Sequence, residues 1–178
     1  MVEGKALTKK VALVAIYSAL GVVLAPFLQI PFITTKAFPG QHLLNSVIGV
    51  TLGPLWAFVV ATIVGIIRNI LGVGTIYAFP GGIPGGVIVG FFTWLLKKLG
   101  RNDKIEYAAF SEPLGTVFIG GTLSVYLVAP LIGDLRLTGA LIPVWFIFGV
   151  SSVMGSIMGF AVLKVLKRAG YLSRISSW

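Results

Sequence analysis

Residues 37–67 and again 69–96 contain no Asp, Glu, Lys or Arg, and the mean hydropathy of the whole chain is +1.00. A water-soluble fold needs charge on its surface, whereas apolar stretches of roughly 20 residues match the ~30 Å hydrocarbon core of a bilayer. The chain therefore reads as an all-α integral membrane protein. Its 178 residues provide a single membrane domain, residues 1–178, of about six spans at roughly 25 to 30 residues per span and loop.

Apolar runs and breakers place the spans at about 9–28, 39–52, 54–72, 82–98, 111–131 and 141–166. The second is short for a full crossing, and Gly53-Pro54 reads either as a tight turn between two spans or as a kink inside one long helix. Charge counting separates the two. With six spans and both termini in the cytoplasm, Lys5, Lys9, Lys10, Lys97, Lys98, Arg101, Lys104, Lys164, Lys167, Arg168 and Arg174 lie inside, against Lys36, Arg68 and Arg136 outside. Five spans would put more basic residues outside than inside, so the positive-inside rule favours six. The same clustering beside apolar runs explains the net charge of +9 without nucleic acid. The first apolar run lacks a small-residue cleavage site near its end and reads as a retained span, not a signal peptide.

There are no cysteines, which removes disulfides and thiolate metal sites. No phosphate loop G-x-x-x-x-G-K-[ST], H-E-x-x-H or G-x-S-x-G occurs, so active transport by this chain would draw its energy from other subunits or an ion gradient. No inverted repeat of the kind common in secondary transporters is visible. The two long outer connections, QIPFITTKAFPGQH at 29–42 and GVGTIYAFPGGIPGG at 72–86, are rich in Pro, Gly and aromatics and read as ordered caps over a cavity.

Polar side chains are costly in lipid, which makes the few present candidates for a substrate site or for helix contacts. Gln41, His42 and Asn45 open the second span, with His42 and Asn45 three apart on one face. Asn69, Tyr77, Phe79, Tyr126 and Trp145 are expected at the same outer depth. Aromatic walls with a few amide or imidazole groups suit a small, flat, largely uncharged heterocycle. A lone His gives no metal site. Arg68 is expected to reach the outer headgroups, and Ser151, Ser152 and Ser156 to bond neighbouring helices. Glu112, in SEPLGT, is expected on the first turn of the fifth span at the cytoplasmic face, where a carboxylate complements the helix dipole. That placement sets it opposite His42 across the membrane. Small residues four apart, Ala57/Ala61/Gly65, Gly86/Gly90 and Gly155/Gly159, are expected to pack helices, and Ala15/Ala19 to form a surface for a partner.

A-I-Y-S-A at 15–19, on the first of six expected spans, resembles the docking motif of the substrate-binding S components of energy-coupling factor (ECF) transporters. F-P-G-Q-H-L-L-N at 38–45 and Y-A-F-P-G-G-I-P-G at 77–85 are similar to the ThiW subgroup, associated with uptake of the thiazole precursor of thiamine. The resemblance covers nearly the whole chain. It implies a non-enzymatic plasma-membrane subunit without cofactors. Such a subunit binds its vitamin from outside and topples when it meets a transmembrane coupling subunit (the T component) with two cytoplasmic ATPases. It implies docking through Ala15 and Ala19, and a hydroxyethylthiazole site with His42 and Asn45 as polar groups and Tyr77, Phe79 and Trp145 as stacking surfaces. Three other readings stand beside it: an S component for another small vitamin or heterocycle, a self-sufficient secondary carrier for the same ligand, and a small membrane enzyme acting on lipid. The last needs acid and base together, against the expected separation of His42 from Glu112.

Overall fold

The computed structural model of the chain describes residues 2–28, 30–32, 35–176 and 178. Gln29, Ile33 and Thr34 of the first expected cap lie outside the described residues, as do the side chains of Lys5 and Lys36 used in the charge count. Helices dominate: α1 (Val2–Leu24), α2 (Pro39–Leu52), α3 (Pro54–Ile70), α4 (Ala78–Lys98), α5 (Asn102–Ile132), α6 (Leu141–Arg168) and a short α7 (Leu172–Ile175). Strands β1 (Ile30–Phe32) and β2 (Thr35–Ala37) pair antiparallel between α1 and α2, with Ile30 opposite Ala37.

Four of these helices, α1, α4, α5 and α6, are long and apolar enough to cross a membrane. The 14 residues of α2 rise only about 21 Å. Short as it is, α2 is almost wholly enclosed, from Leu44 and Val47 to Val50 and Leu52, and packs against α1, α3, α4 and α6. It is the axis around which the bundle closes.

Close approaches fix the direction of each helix. Along α2, Gln41 meets Ala78, Asn45 meets Gly82 and Gly49 meets Val89, so α2 and α4 run parallel. Along α3, Pro54 meets Gly90, Ala57 meets Gly86 and Gly65 meets Phe79, so α3 runs antiparallel to α4. Gly53-Pro54 therefore reverses the chain. The reversal uses a positive φ of 86° at Gly53, a conformation glycine adopts without penalty, followed by a proline that starts α3 with its φ already set.

The basic clusters gather at one end. Lys9 Nζ donates to the Arg174 carbonyl at 2.5 Å and Lys97 Nζ to the carbonyls of Ser176 and Trp178, while Lys164 and Lys167 reach the buried Glu106 carboxylate at 3.3 and 2.7 Å. Trp178 stacks on Lys97 and donates its indole N–H to the Val50 carbonyl. At the opposite end stand the β1–β2 ribbon and the loops 71–77 and 133–140.

Helix boundaries differ from expectation in three places, the first helix running from Val2 to Leu24 where 9–28 was expected. The fourth helix starts at Ala78, not 82. The fifth starts at Asn102, not 111, because its polar first turns are stabilised as helix by the Glu106 ion pairs with α6. This last shift moves Glu112 from a helix end deep into the bundle. Helix α5 is also unevenly wound: tight 3₁₀ turns over Asn102–Ser111 give way to wider π-type turns over Leu114–Gly121 and Ser124–Val128, a widening often found where a helix serves a site.

Candidate functional site

The face shared by His42 and Asn45 points inward to Glu112. His42 Nδ1 lies 2.8 Å from Glu112 Oε1, Asn45 Nδ2 donates to the same oxygen at 2.9 Å, and Thr116 Oγ1, one turn along α5, donates to it at 2.6 Å. The Ser152 hydroxyl of α6 donates to Oε2. One fully enclosed carboxylate thus accepts four donors, about its full lone-pair capacity. Facing an acceptor-only group, His42 Nδ1 carries the proton, which leaves Nε2 as the ring atom outside this network. The expected position of Glu112 at a membrane face, opposite His42, is corrected: the carboxylate is buried and the two are in direct contact.

Helix α4 is prepared for this contact by its composition. Pro84 has no N–H, and glycines at 81, 82, 85 and 86 keep the backbone bare of side chains. The carbonyls of Ala78 and Gly82 accept from Gln41 (3.0 Å) and Asn45 (2.9 Å), which ties α2 to α4. A Cβ on Gly85 would stand 2.2 Å from Glu112 Oε1, so that glycine is the space the carboxylate occupies.

Arg68 lies at the C-terminal turn of α3. It does not reach headgroups: it is 2% exposed, donates from a terminal nitrogen to Gln41 Oε1 at 2.6 Å, and stacks over the Phe38 ring at 4.4 Å. Gln41 joins it to the α4 carbonyls. The Arg68–Gln41 pair and the group of Asn45, Glu112, His42, Thr116 and Ser152 thus meet α4 one turn apart, at the carbonyls of Ala78 and Gly82.

The other expected residues divide. Phe79 packs on Gly65. Asn69 donates to the carbonyls of Gly65 and Thr75 and shapes the 71–77 loop. Trp145 wedges between α5 and α6, stacked edge-on with Phe118 at 5.0 Å and bonded to Thr122, and makes no contact with the His42 network. Tyr126 is 63% exposed on the outside of α5 and does not join the site. Ser151 accepts from the Phe38 amide, so Ser151 and Ser152 both tie helices together as expected. Ala15 and Ala19 are exposed on α1, whose other face carries Val14 and Tyr17 into the core.

Tyr77 latches the loops at that end. Its phenol donates to Asp134 Oδ2 at 3.0 Å, and Arg136 grips both oxygens of the same carboxylate. The Arg136 fork pulls the Asp134 carboxyl down to about 2, and desolvation followed by the Asp134 contact pushes the Tyr77 phenol up to about 12. A lowered acid contributes above its ordinary value and a raised phenol below its own. The latch is complete from about pH 4 to about pH 10 and weakens as Asp134 gains a proton toward 2 or Tyr77 loses one toward 12.

An open cavity of about 430 Å³ lies at the other end, among Lys97, Asn102, Lys167, Ser173 and Trp178, and holds none of the expected site residues. Among the described residues no three His, Asp or Glu side chains are grouped as metal ligands. Sequence reasoning missed Glu112, Thr116 and Arg68 as site members, yet each left a trace. Glu112 and Thr116 stand one turn apart, and Arg68 is the only charge between residues 37 and 96.

Residues 11–169 match the family model described as thiamine-precursor transporter protein (ThiW). No curated protein and no solved structure matches the chain.

Proposed function

The chain belongs to the ThiW family of thiamine-precursor transporters, and on that premise we propose that it is the S component of an ECF-type importer for hydroxyethylthiazole, crossing the plasma membrane six times with its basic end in the cytoplasm. The observation that carries this reading is the buried His42–Glu112 pair, braced from four helices and placed toward the end covered by the loops. The basic end, where both termini and the Lys97 and Lys167 clusters meet, is the end that the positive-inside rule keeps in the cytoplasm.

The geometry refines the roles. Both N–H groups of Asn45 are spent on Gly82 and Glu112, so Asn45 positions the carboxylate. Glu112 holds Nδ1 of His42 protonated, which turns Nε2 into an acceptor suited to the ligand's hydroxyl. Phe79 supplies an apolar wall. Titration calorimetry on the purified chain is expected to show binding of hydroxyethylthiazole in preference to thiamine and hydroxymethylpyrimidine. His42→Ala should weaken it by on the order of 1 to 3 kcal/mol, because a buried polar partner is left unmade. Unchanged affinity in that variant would remove His42 from the pocket.

The exposed stripe of α1, with Ala15 and Ala19 between Val11, Ile16, Leu20 and Val23, is the proposed docking face for the coupling subunit. Small residues there let a second helix come close. Ala15→Trp and Ala19→Trp should abolish uptake in cells while leaving the affinity of the isolated chain unchanged; uptake at the wild-type rate in both would refute docking through this stripe.

A second reading draws on the same pair. A buried carboxylate bonded to an imidazole is the kind of group proton-coupled carriers use, and it favours a self-sufficient carrier. Uptake that persists in cells without the ATPase subunits would select it.

A further inference from the structure

The guanidinium of Arg68 is enclosed, yet among the described side chains no carboxylate answers it. The chain has five acidic residues. Glu112 is occupied by His42, Asn45, Thr116 and Ser152, Asp134 by Arg136 and Tyr77, and Glu106 by Lys164 and Lys167. Asp103 belongs to the basic end, where its carbonyl receives Lys167. The Glu3 side chain lies outside the described residues. Arg68 has one side-chain acceptor, Gln41 Oε1, and one ring, Phe38, while its Nε is buried with no hydrogen-bond partner.

Burying a cation is expensive unless an anion meets it. The C-terminal dipole of α3 and the Phe38 ring offset part of the cost, but neither supplies an acceptor for Nε. Guanidinium is also the group whose fork matches the oxygens of a carboxylate or phosphate. Gln41 connects Arg68 to the Ala78 carbonyl, one turn of α4 before the Gly82 carbonyl that holds Asn45, so Arg68 and the His42 network flank the same stretch of α4.

We infer that Arg68 is an oxyanion-binding residue of this site, and that the preferred ligand is a small heterocycle carrying a phosphate monoester or carboxylate, its oxyanion on Arg68 and its ring toward His42. This rests on the proposed binding role and narrows the substrate class from a neutral alcohol to an anion.

The test compares hydroxyethylthiazole, its phosphate monoester, a thiazole carboxylic acid and inorganic phosphate, on the full chain in a phosphate-free maltoside detergent, by calorimetry and thermal shift. The wild type should bind at least one of the two anionic thiazoles roughly tenfold or more tightly than the alcohol, the worth of one charge-assisted hydrogen bond. Arg68→Met should erase that preference by weakening the anions at least tenfold more than the alcohol, and Arg68→Lys should restore part of it. An alcohol bound as tightly as both anions overturns the inference. So does a Met variant that loses affinity for all thiazoles equally, because that marks a role in folding alone. If no thiazole binds, the thiazole reading itself falls. Inorganic phosphate then decides for Arg68: stabilisation that Arg68→Met removes supports the oxyanion site, and no stabilisation overturns it. Added phosphatidylglycerol separates the remaining source of oxyanion. Stabilisation by this lipid that requires Arg68, with no preference among the thiazoles, assigns the guanidinium to a headgroup and refutes the proposal.

Discussion

Replacing Glu112 by alanine is expected to destabilise the bundle by on the order of 3 to 5 kcal/mol, because a buried carboxylate that serves four donors is removed at once. The carboxylate is the common acceptor for His42 of α2, Asn45 of α2, Thr116 of α5 and Ser152 of α6. Its loss strands four donors where water does not replace it, at about 1 to 3 kcal/mol for each group left unmade, less than additively because they share one acceptor. Glu112→Gln should fall between alanine and wild type. The amide oxygen still accepts, but its N–H₂ must face a ring of donors. Thermal unfolding of the purified variants in detergent measures both. A Glu112→Ala protein melting at the wild-type temperature would mean that the carboxylate does not hold these helices together.

That dependence explains which parts of the molecule were legible in the sequence. The apolar runs, the Gly53-Pro54 break and the shared face of His42 and Asn45 follow from local spacing, and local spacing survives folding. The contact between His42 and Glu112 is set by α2 and α6 closing on α4 and α5, and no local pattern contains it. Asn102, Asp103, Lys104 and Glu106 look like a loop, and the helix starts there because the Glu106 carboxylate is paired with Lys164 and Lys167, more than 50 residues away, and the Asp103 carbonyl receives Lys167. Tyr126 was expected in the site from its depth along the span, and depth alone does not set the face of a helix: the side chain is 63% exposed on the outside of α5. Arg68 was assigned to headgroups because a lone cation near a span end usually reaches outward. Only the packing of Phe38 and Gln41 over it shows otherwise.

The crossing of α6 over α2 carries the second large effect. At Gly155 a Cβ would stand 2.5 Å from His42 Cβ, 2.5 Å from the Pro39 carbonyl oxygen and 2.8 Å from the Leu43 amide nitrogen. Two of those three atoms are backbone and cannot rotate aside, so Gly155→Val must drive the helices apart. Overpacking of this kind costs about 3 kcal/mol or more, at the upper end of the usual range. The displacement falls on the turn of α2 that carries His42, and Ser152, one turn before Gly155, moves away from Glu112 with it. Ligand affinity should therefore drop along with thermal stability. Gly149, on the same helix, is the matched control: its Cβ would meet only Val117, at 3.9 Å, and Gly149→Ala should be neutral or stabilising by roughly 0.5 to 1 kcal/mol, the helix preference of alanine over glycine. Equal melting temperatures for Gly155→Val and Gly149→Ala would show that the α2–α6 crossing has room to spare, and that the alignment of His42 with Glu112 does not depend on it.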